Sequence, residues 1–465
     1  MFQIKAIYST MGAGTSSSLL MMKIKDHKVN EIFYPNKPYV HSPDHWRAEP
    51  GGLIVELQAL PSLVYNNRLR INEGYWYVEA SFLPYDDSKL VVSASCYYLL
   101  PNLTAGTSNI SGIPSGRIFI VDLNKLNHGL GYFKLKGTST SKKPKLSIHP
   151  SGDFIGYIGT GEVNLITLDS IQVYSKQKDI SNAAFHCFAI APNGISIAIM
   201  TRNLGRYELQ LSKLTFGEFR KKSVFCHHIC PSFINQRGQY TDSVDFKWSP
   251  DSKYLAVSNN QGVLFILQVL SMRNLCTVFE DVIDGQLASN TGYDFDPQYE
   301  HSIMAVATSE VKVHIINFLT GMTLCTLNPC EGESENDMID CIKFNPDGQS
   351  IAVALHSLKI VIISVIEENI LLSIDVKSSC PQTTMGHDMN DKNILSLAYS
   401  SEGQKLLSSC CDGYVRIWNV ANQVQTLMAL CRLKVLSLQK VSDVKNLKLP
   451  KKIKNYLLHT PCLIE

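Results

Sequence analysis

Two thiols and two imidazoles fall within one short run, Cys226-His227-His228-Ile229-Cys230, and these are ligand types that zinc accepts. The spacing argues against a metal centre. No second ligand pair follows at a usable distance, and in an extended strand alternate residues point to opposite faces. A second near miss is "GAGTSSS" from Gly12 to Ser18, which has the glycines and hydroxyls of a phosphate loop but no lysine after them, so it reads as a turn. Neither a His-Glu-x-x-His helix, a nucleophile elbow nor a pair of catalytic carboxylates is found. The residues therefore predict binding rather than catalysis, with no metal and no cofactor.

The elements that would carry such binding are repeated. "SVDFKWSPDSKYLAVSNNQGVLFILQV" (Ser243 to Val269), "CIKFNPDGQSIAVALHSLKIVIISV" (Cys341 to Val365) and "ILSLAYSSEGQKLLSSCCDGYVRIWNV" (Ile394 to Val420) share one plan. Each reads as an alternating strand, a Pro-Asp-Gly-like turn, an apolar strand, a polar turn and a third strand. Weaker copies surround Pro84, Pro150, Pro192 and Pro297, which makes seven units. Their spacing of about forty to sixty-five residues is the period of propeller blades with insertions.

Composition agrees with a folded chain of this kind. At 465 residues, 45% apolar and 18% charged, the chain is neither low-complexity nor disordered. Its net charge of +2 gives no general attraction to nucleic acid or anionic membrane. Basic stretches at Lys142 to Lys145, Arg220 to Lys222 and Lys448 to Lys454 are local. The most apolar window, Ser350 to Ile366, is broken by His356, Ser357 and Lys359, so two strands fit it better than a membrane span. "MFQIKAIYSTMGAG" lacks the pattern of a secretory signal. The thirteen cysteines, Cys96, Cys276, Cys325 and Cys341 among them, then read as thiols in apolar surroundings. The expected location is the cytoplasm, with the nucleus also open.

The last unit carries the most specific signature. Gly386-His387, Asp412 in the turn and Ile417-Trp418-Asn419 stand where the GH, Asp and WD of a WD40 repeat would stand. The unit resembles that family. The resemblance implies a hydrogen-bonded network of His387, Ser408, Asp412 and Trp418 that ties one blade together, a structural role for all four. The fold class expected is mainly β, a WD40-type propeller of seven blades over residues 1–423. Ring closure needs an N-terminal strand, and "FQIKAIYST" and "GLIVELQA" both qualify. Phe33 to Gly52 between them reads as a long irregular loop.

After Val420 the strand pattern stops. Leu427, Leu430, Cys431, Val435 and Leu438 lie at i, i+3, i+4, i+8 and i+11, one face of a helix that Thr426 can cap. "LKLPKKIKNYLLH" restarts a helix with Pro450 in its first turn, and Ile453, Tyr456 and Leu457 oppose Lys451, Lys452 and Lys454. So short a helical segment needs its apolar faces buried against the propeller or a partner.

"TLMALCRLKV" resembles the elongin-binding box of SOCS-box proteins at Thr426, Leu427, Cys431 and Val435. "LKLPKKIKNYLL" resembles the cullin-selecting half of the same module at Leu447, Leu449, Pro450, Ile453, Tyr456 and Leu457, with Lys448 where the first proline usually stands. The whole is similar to the WD-repeat and SOCS-box-containing family, with residues 424–465 as a small all-α SOCS box. That resemblance implies a non-catalytic substrate receptor of a cullin-RING ubiquitin ligase. Elongin C with elongin B would engage Thr426, Leu427, Leu430, Cys431, Val435 and Leu438. Cullin 5 with its RING protein would join them, cullin 2 being the other choice, while the propeller holds a protein substrate. The rival reading is a WD40 scaffold of another assembly with a helical cap.

Overall fold

The computed structural model describes strands and turns between residues 39 and 420, together with Lys448. Residues 1–38, 421–447 and 449–465 lie outside the described residues, as do several loops, including 59–74, 99–112, 135–145, 229–243, 279–291 and 380–392. The described chain is almost wholly antiparallel β-structure in seven sheets. Numbered here in chain order, sheet 1 spans residues 75–134, sheet 2 146–178, sheet 3 184–228, sheet 4 244–277, sheet 5 293–327, sheet 6 339–375 and sheet 7 394–419 plus two N-terminal strands.

In sheets 1, 2, 4, 5 and 6 the strands follow the chain from one edge to the other. Apolar clusters join each sheet to the next. Val91 and Ile118 of sheet 1 pack on Ile155 and Tyr157 of sheet 2. Leu165 meets Phe188 between sheets 2 and 3, and the series continues through sheets 4, 5 and 6. Sheet 6 packs on sheet 7 around Trp418 and Ile360, and sheet 7 packs on sheet 1 through Val415, Ile417, Val78 and Leu90. The seven sheets thus close on themselves.

The first two strands of most sheets meet in one turn type. In sheets 2, 3, 4, 6 and 7 the fourth turn residue donates its N–H back to the first, as Gly152 does to His149 (2.8 Å), Gly348 to Asn345 (2.8 Å) and Gly403 to Ser400 (2.9 Å). That fourth residue has positive φ, 70° at both Gly348 and Gly403, a conformation glycine adopts at no steric cost. Proline before it at Pro150, Pro192, Pro250 and Pro346 presets the preceding φ.

Sheet 7 is completed by Leu53–Gln58, which pairs with Tyr414–Asn419, so of the two candidate closing segments "GLIVELQA" fills the place. "FQIKAIYST" lies outside the described residues. The reading of 33–52 as wholly irregular is corrected at Tyr39–His41, a short strand on the outer edge of Leu53–Gln58. An aromatic and a β-branched residue beside an open strand edge favour pairing over a free loop. A second addition is a fourth, outermost strand per sheet, such as Met322–Leu327 and Ile370–Asp375.

Ser350 to Ile366 forms the two strands Ser350–Leu355 and Lys359–Ser364 with a turn between them. No helix among the described residues is long and apolar enough to cross a membrane. Cys341 is buried with its thiol donating to the Ile394 carbonyl, and burial pushes the Cys325 thiol up to about 12. The side chains of Cys96 and Cys276 lie outside the described residues.

One glycine marks a close approach between sheets. A Cβ on Gly156 in sheet 2 would fall 2.4 Å from the Phe188 ring of sheet 3, and Phe188 is buried. Gly156→Ala is expected to cost about 1–3 kcal/mol by overpacking, read as a lower urea midpoint with unchanged slope.

Candidate functional site

First strands of neighbouring sheets lie against one another, so they form the inner lining of the closed set. Each is a sheet edge with unpaired backbone groups, and side chains of the preceding sheet satisfy several of them. The Leu146 N–H donates to Glu79 Oε2 (3.1 Å), Ile190 to Ser147 Oγ (2.8 Å), Phe344 to Asp294 Oδ2 (2.9 Å) and Ile394 to Asp340 Oδ2 (3.0 Å). At four of the seven junctions the lining is thus a polar seam.

Its most charged part is Lys247, Asp294 and Lys343, on the first strands of sheets 4, 5 and 6. Asp294 is buried, with Lys343 Nζ 3.0 Å away and Lys247 Nζ 3.6 Å away. Burial raises the Asp294 pKa, but the two ammonium groups and the Phe344 N–H together hold it below the ordinary carboxylate value. Burial lowers that of Lys247, with Asp294 offsetting only part of the loss. The Lys247 ammonium also donates to the Tyr293 carbonyl and lies 5.1 Å from that ring's centre. One carboxylate therefore holds three sheets.

At the closing sheet, Trp418 Nε1 donates to Ser408 Oγ at 2.9 Å, both residues fully buried. His387 and Asp412, the other two members of the expected network, lie outside the described residues. Period-two alternation puts Arg416 on the Trp418 side of the strand. There its Nε donates to Glu56 Oε2 at 2.8 Å, with side chains 0% and 1% exposed, directly across the strand pair. Sequence reasoning passed over this pair. Its signal was a charge inside each of two strands otherwise destined for burial, "VRIWN" and "LIVELQ".

Sheet 6 shows another substitute for the missing signature. Asp337 accepts from the Ser357 N–H (3.1 Å) and Oγ (2.6 Å), which ties the loop entering the sheet to the turn between its second and third strands. Elsewhere the strand-end residues Asp122 and Asn317 act locally. Asp122 accepts from the Asn124 N–H at 2.9 Å, and Asn317 accepts from Leu319 and Thr320 at 3.1 and 3.0 Å.

His227–His228 is a two-residue strand paired with Glu208 and Leu209, while Cys226 and Cys230 lie outside the described residues. Among the described residues no three His, Cys, Asp or Glu side chains are grouped to hold a metal. Thr426, Leu427, Leu430, Cys431, Val435, Leu438, Leu447, Leu449, Pro450, Ile453, Tyr456 and Leu457 also lie outside the described residues. Lys448, between two of them, is described and exposed.

What the structure does give is the point from which that segment departs. Asn419 and Val420 are held by the Gly52 and Gln404 carbonyls at 2.9 Å each, so the chain is fixed up to its last strand residue.

A family model described as WD domain, G-beta repeat matches residues 378–419. The last sheet is thus a WD40 repeat in a mainly β chain. A SOCS box model matches residues 423–458, directly behind it. The chain carries both parts, in the order found in the WD-repeat and SOCS-box family. Comparison with curated proteins finds no match. One similar solved structure is a chain of "Crystal Structure of Mitotic Checkpoint Complex", 15% identical, covering 70% of this chain and 86% of that chain with a TM-score of 0.46. A WD40 repeat joined to a SOCS box points to a substrate receptor of a cullin-RING ligase, and the box implies elongin B/C and cullin-type partners.

Proposed function

We propose that this chain is the substrate-recognition subunit of an elongin B/C cullin-RING ubiquitin ligase, built as a seven-bladed propeller over residues 1–423 and a helical SOCS box over 424–465. The observation that carries the reading is the SOCS box match at residues 423–458, immediately after a strand locked from both sides. Leu427, Leu430 and Cys431 enter an apolar pocket of elongin C as a helix in a groove, each fully buried aliphatic side chain worth roughly 1.5–3 kcal/mol. Cys431 serves there as a small polarizable group.

Leu447, Leu449, Pro450, Ile453, Tyr456 and Leu457 select the cullin. Cullin 5 is the expected partner and cullin 2 the alternative, because Lys448 replaces a proline at the selecting position. The propeller holds a protein target near a ubiquitin-loaded conjugating enzyme, so the rate gain comes from proximity and the chain itself supplies no reacting group. The cytoplasm, and the nucleus with it, is the compartment in which such a complex works.

The test is immunoprecipitation of the tagged full chain from cells, read for co-purified cullin and for ubiquitin-chain formation when E1, E2 and ubiquitin are added. Wild type is expected to bring down cullin 5 and form chains. Leu427→Ala with Cys431→Ala is expected to lose both. Recovery of wild type without elongin or cullin would contradict the reading and favour a WD40 scaffold with a helical cap.

A further inference from the structure

In sheets 1 to 6 the turns joining strands one to two and three to four lie at the same end, because consecutive strands are antiparallel, and in sheet 7 the first turn and the end of the third strand lie there. These turns make one face of the molecule. Neighbouring turns touch around it. The Ser401 N–H and Oγ donate to Asp87 at 2.7 and 2.9 Å, the Asn193 N–H donates to Ser252 Oγ at 3.0 Å, and His149 Nε2 donates to the Gly194 carbonyl at 3.0 Å. Among the described residues, five of the seven exposed large apolar side chains, Tyr85, Ile195, Leu270, Leu319 and Met322, stand on this face.

The same face is acidic where the chain leaves it. Val420 ends a third strand and is bonded to Gln404, so the C-terminal segment starts here. Around that point sheets 1, 6 and 7 present Asp86, Asp87, Asp347, Glu367, Glu368 and Glu402, the last three exposed. Lys89, Lys125 and Lys405 are the basic residues in the described elements at this end of those sheets, and Lys89 is held by Asp86 at 2.8 Å. The departing residues 421–465 have the opposite sign, with eight Lys or Arg against Asp443 and Glu465.

We propose that this turn face is the docking surface for the chain's own C-terminal segment, with the lysine side of residues 448–454 against Glu367, Glu368 and Glu402. The proposal rests on the SOCS-box reading of that segment. Its helix pattern sets Lys451, Lys452 and Lys454 opposite Ile453, Tyr456 and Leu457, so the lysine side can face the propeller while the apolar side stays open to the ligase partners. Charge complementarity at short range, backed by a covalent tether that keeps the effective concentration high, then fixes how the box is held relative to the substrate-binding blades.

The test is zero-length carbodiimide coupling of amines to carboxylates on the full-length monomer, read by mass spectrometry. Links from Lys451, Lys452 or Lys454 to Glu367, Glu368 or Glu402 are expected. Their yield should fall roughly tenfold between 0.15 M and 1 M salt, as the screening length shrinks from about 8 to about 3 Å. Lys451→Glu, Lys452→Glu and Lys454→Glu together should remove them. Adding Glu367→Lys, Glu368→Lys and Glu402→Lys should restore them in reversed sense.

Absence of these links, equal linking to Glu310 on the opposite face, or links found only between isotopically distinct chains would overturn the proposal. Elongin capture is scored on the wild-type chain. Capture without cross-links overturns the docking alone, and cross-links without capture overturn the ligase reading alone.

Discussion

Replacing Glu56 with alanine is expected to lower the stability of the propeller by about 3–5 kcal/mol, the cost of leaving one partner of a buried ion pair behind. Arg416 and Glu56 are 0% and 1% exposed and meet at 2.8 Å, so no solvent takes over when the carboxylate goes. The pair also joins the two ends of the described chain, 360 residues apart, across the strand pairing that closes sheet 7. Loss of the carboxylate therefore strikes the one seam where the closed set is held by non-consecutive chain. Against a total stability of about 5–15 kcal/mol, this is a large fraction.

Urea unfolding followed by tryptophan fluorescence reads the change. Glu56→Leu with Arg416→Met should recover most of it, since a matched apolar pair needs no partner charge. A Glu56→Ala variant within about 0.5 kcal/mol of wild type would show that the seam does not depend on the pair.

Asp294→Ala is the second large expected effect, about 2–3 kcal/mol. It falls below the range for a fully buried pair because the partners are partly exposed, Lys343 at 40% and Lys247 at 25%. Removing the carboxylate leaves Lys247 charged in a site that already disfavours its charge, and frees the Phe344 N–H. The pH dependence has a fixed sign. A carboxylate whose folded value is lowered contributes stability above its unfolded value of 3.8 and loses it as the pH falls through the folded value. The gap between wild type and Asp294→Asn should thus be full at pH 5–7 and close in stronger acid. A gap that widened on acidification would contradict the assignment.

Much of this architecture is readable in the sequence because its driving force is local. The strand-turn-strand hairpins need only period-two alternation and a turn whose fourth residue tolerates positive φ, and Pro346-Asp347-Gly348 announces both. Outer strands such as Met322–Leu327 and Ile370–Asp375 were missed because their residues are largely exposed and carry little apolar contrast. The polar seam was invisible for another reason. Asp294 touches Lys247 and Lys343 across 47 and 49 residues of chain, and nothing in the spacing of single residues records which strands become neighbours around an axis.

The closing pair occupies a middle case. A charge at Glu56 inside "LIVELQ" and another at Arg416 inside "VRIWN" each break an apolar strand, and each break is a demand for a partner. The Trp418 to Ser408 bond had a signature to follow and the Asp337 to Ser357 bond had none, because the second uses other residue types for a similar tie. Spacing alone predicts only a helix face at Leu427, Leu430, Cys431, Val435 and Leu438; the ligase-side roles come from the resemblance, and these residues lie outside the described residues.

The most direct measurement of the central claim is calorimetric titration of the purified elongin B–elongin C dimer into the full-length chain. Wild type is expected to bind with one-to-one stoichiometry. Leu427→Ala with Cys431→Ala should weaken binding by about a hundredfold or more, roughly 3 kcal/mol of truncated contact, with an unchanged urea midpoint for the propeller. No heat of binding from the wild type, or equal affinity in the double variant, would contradict the account.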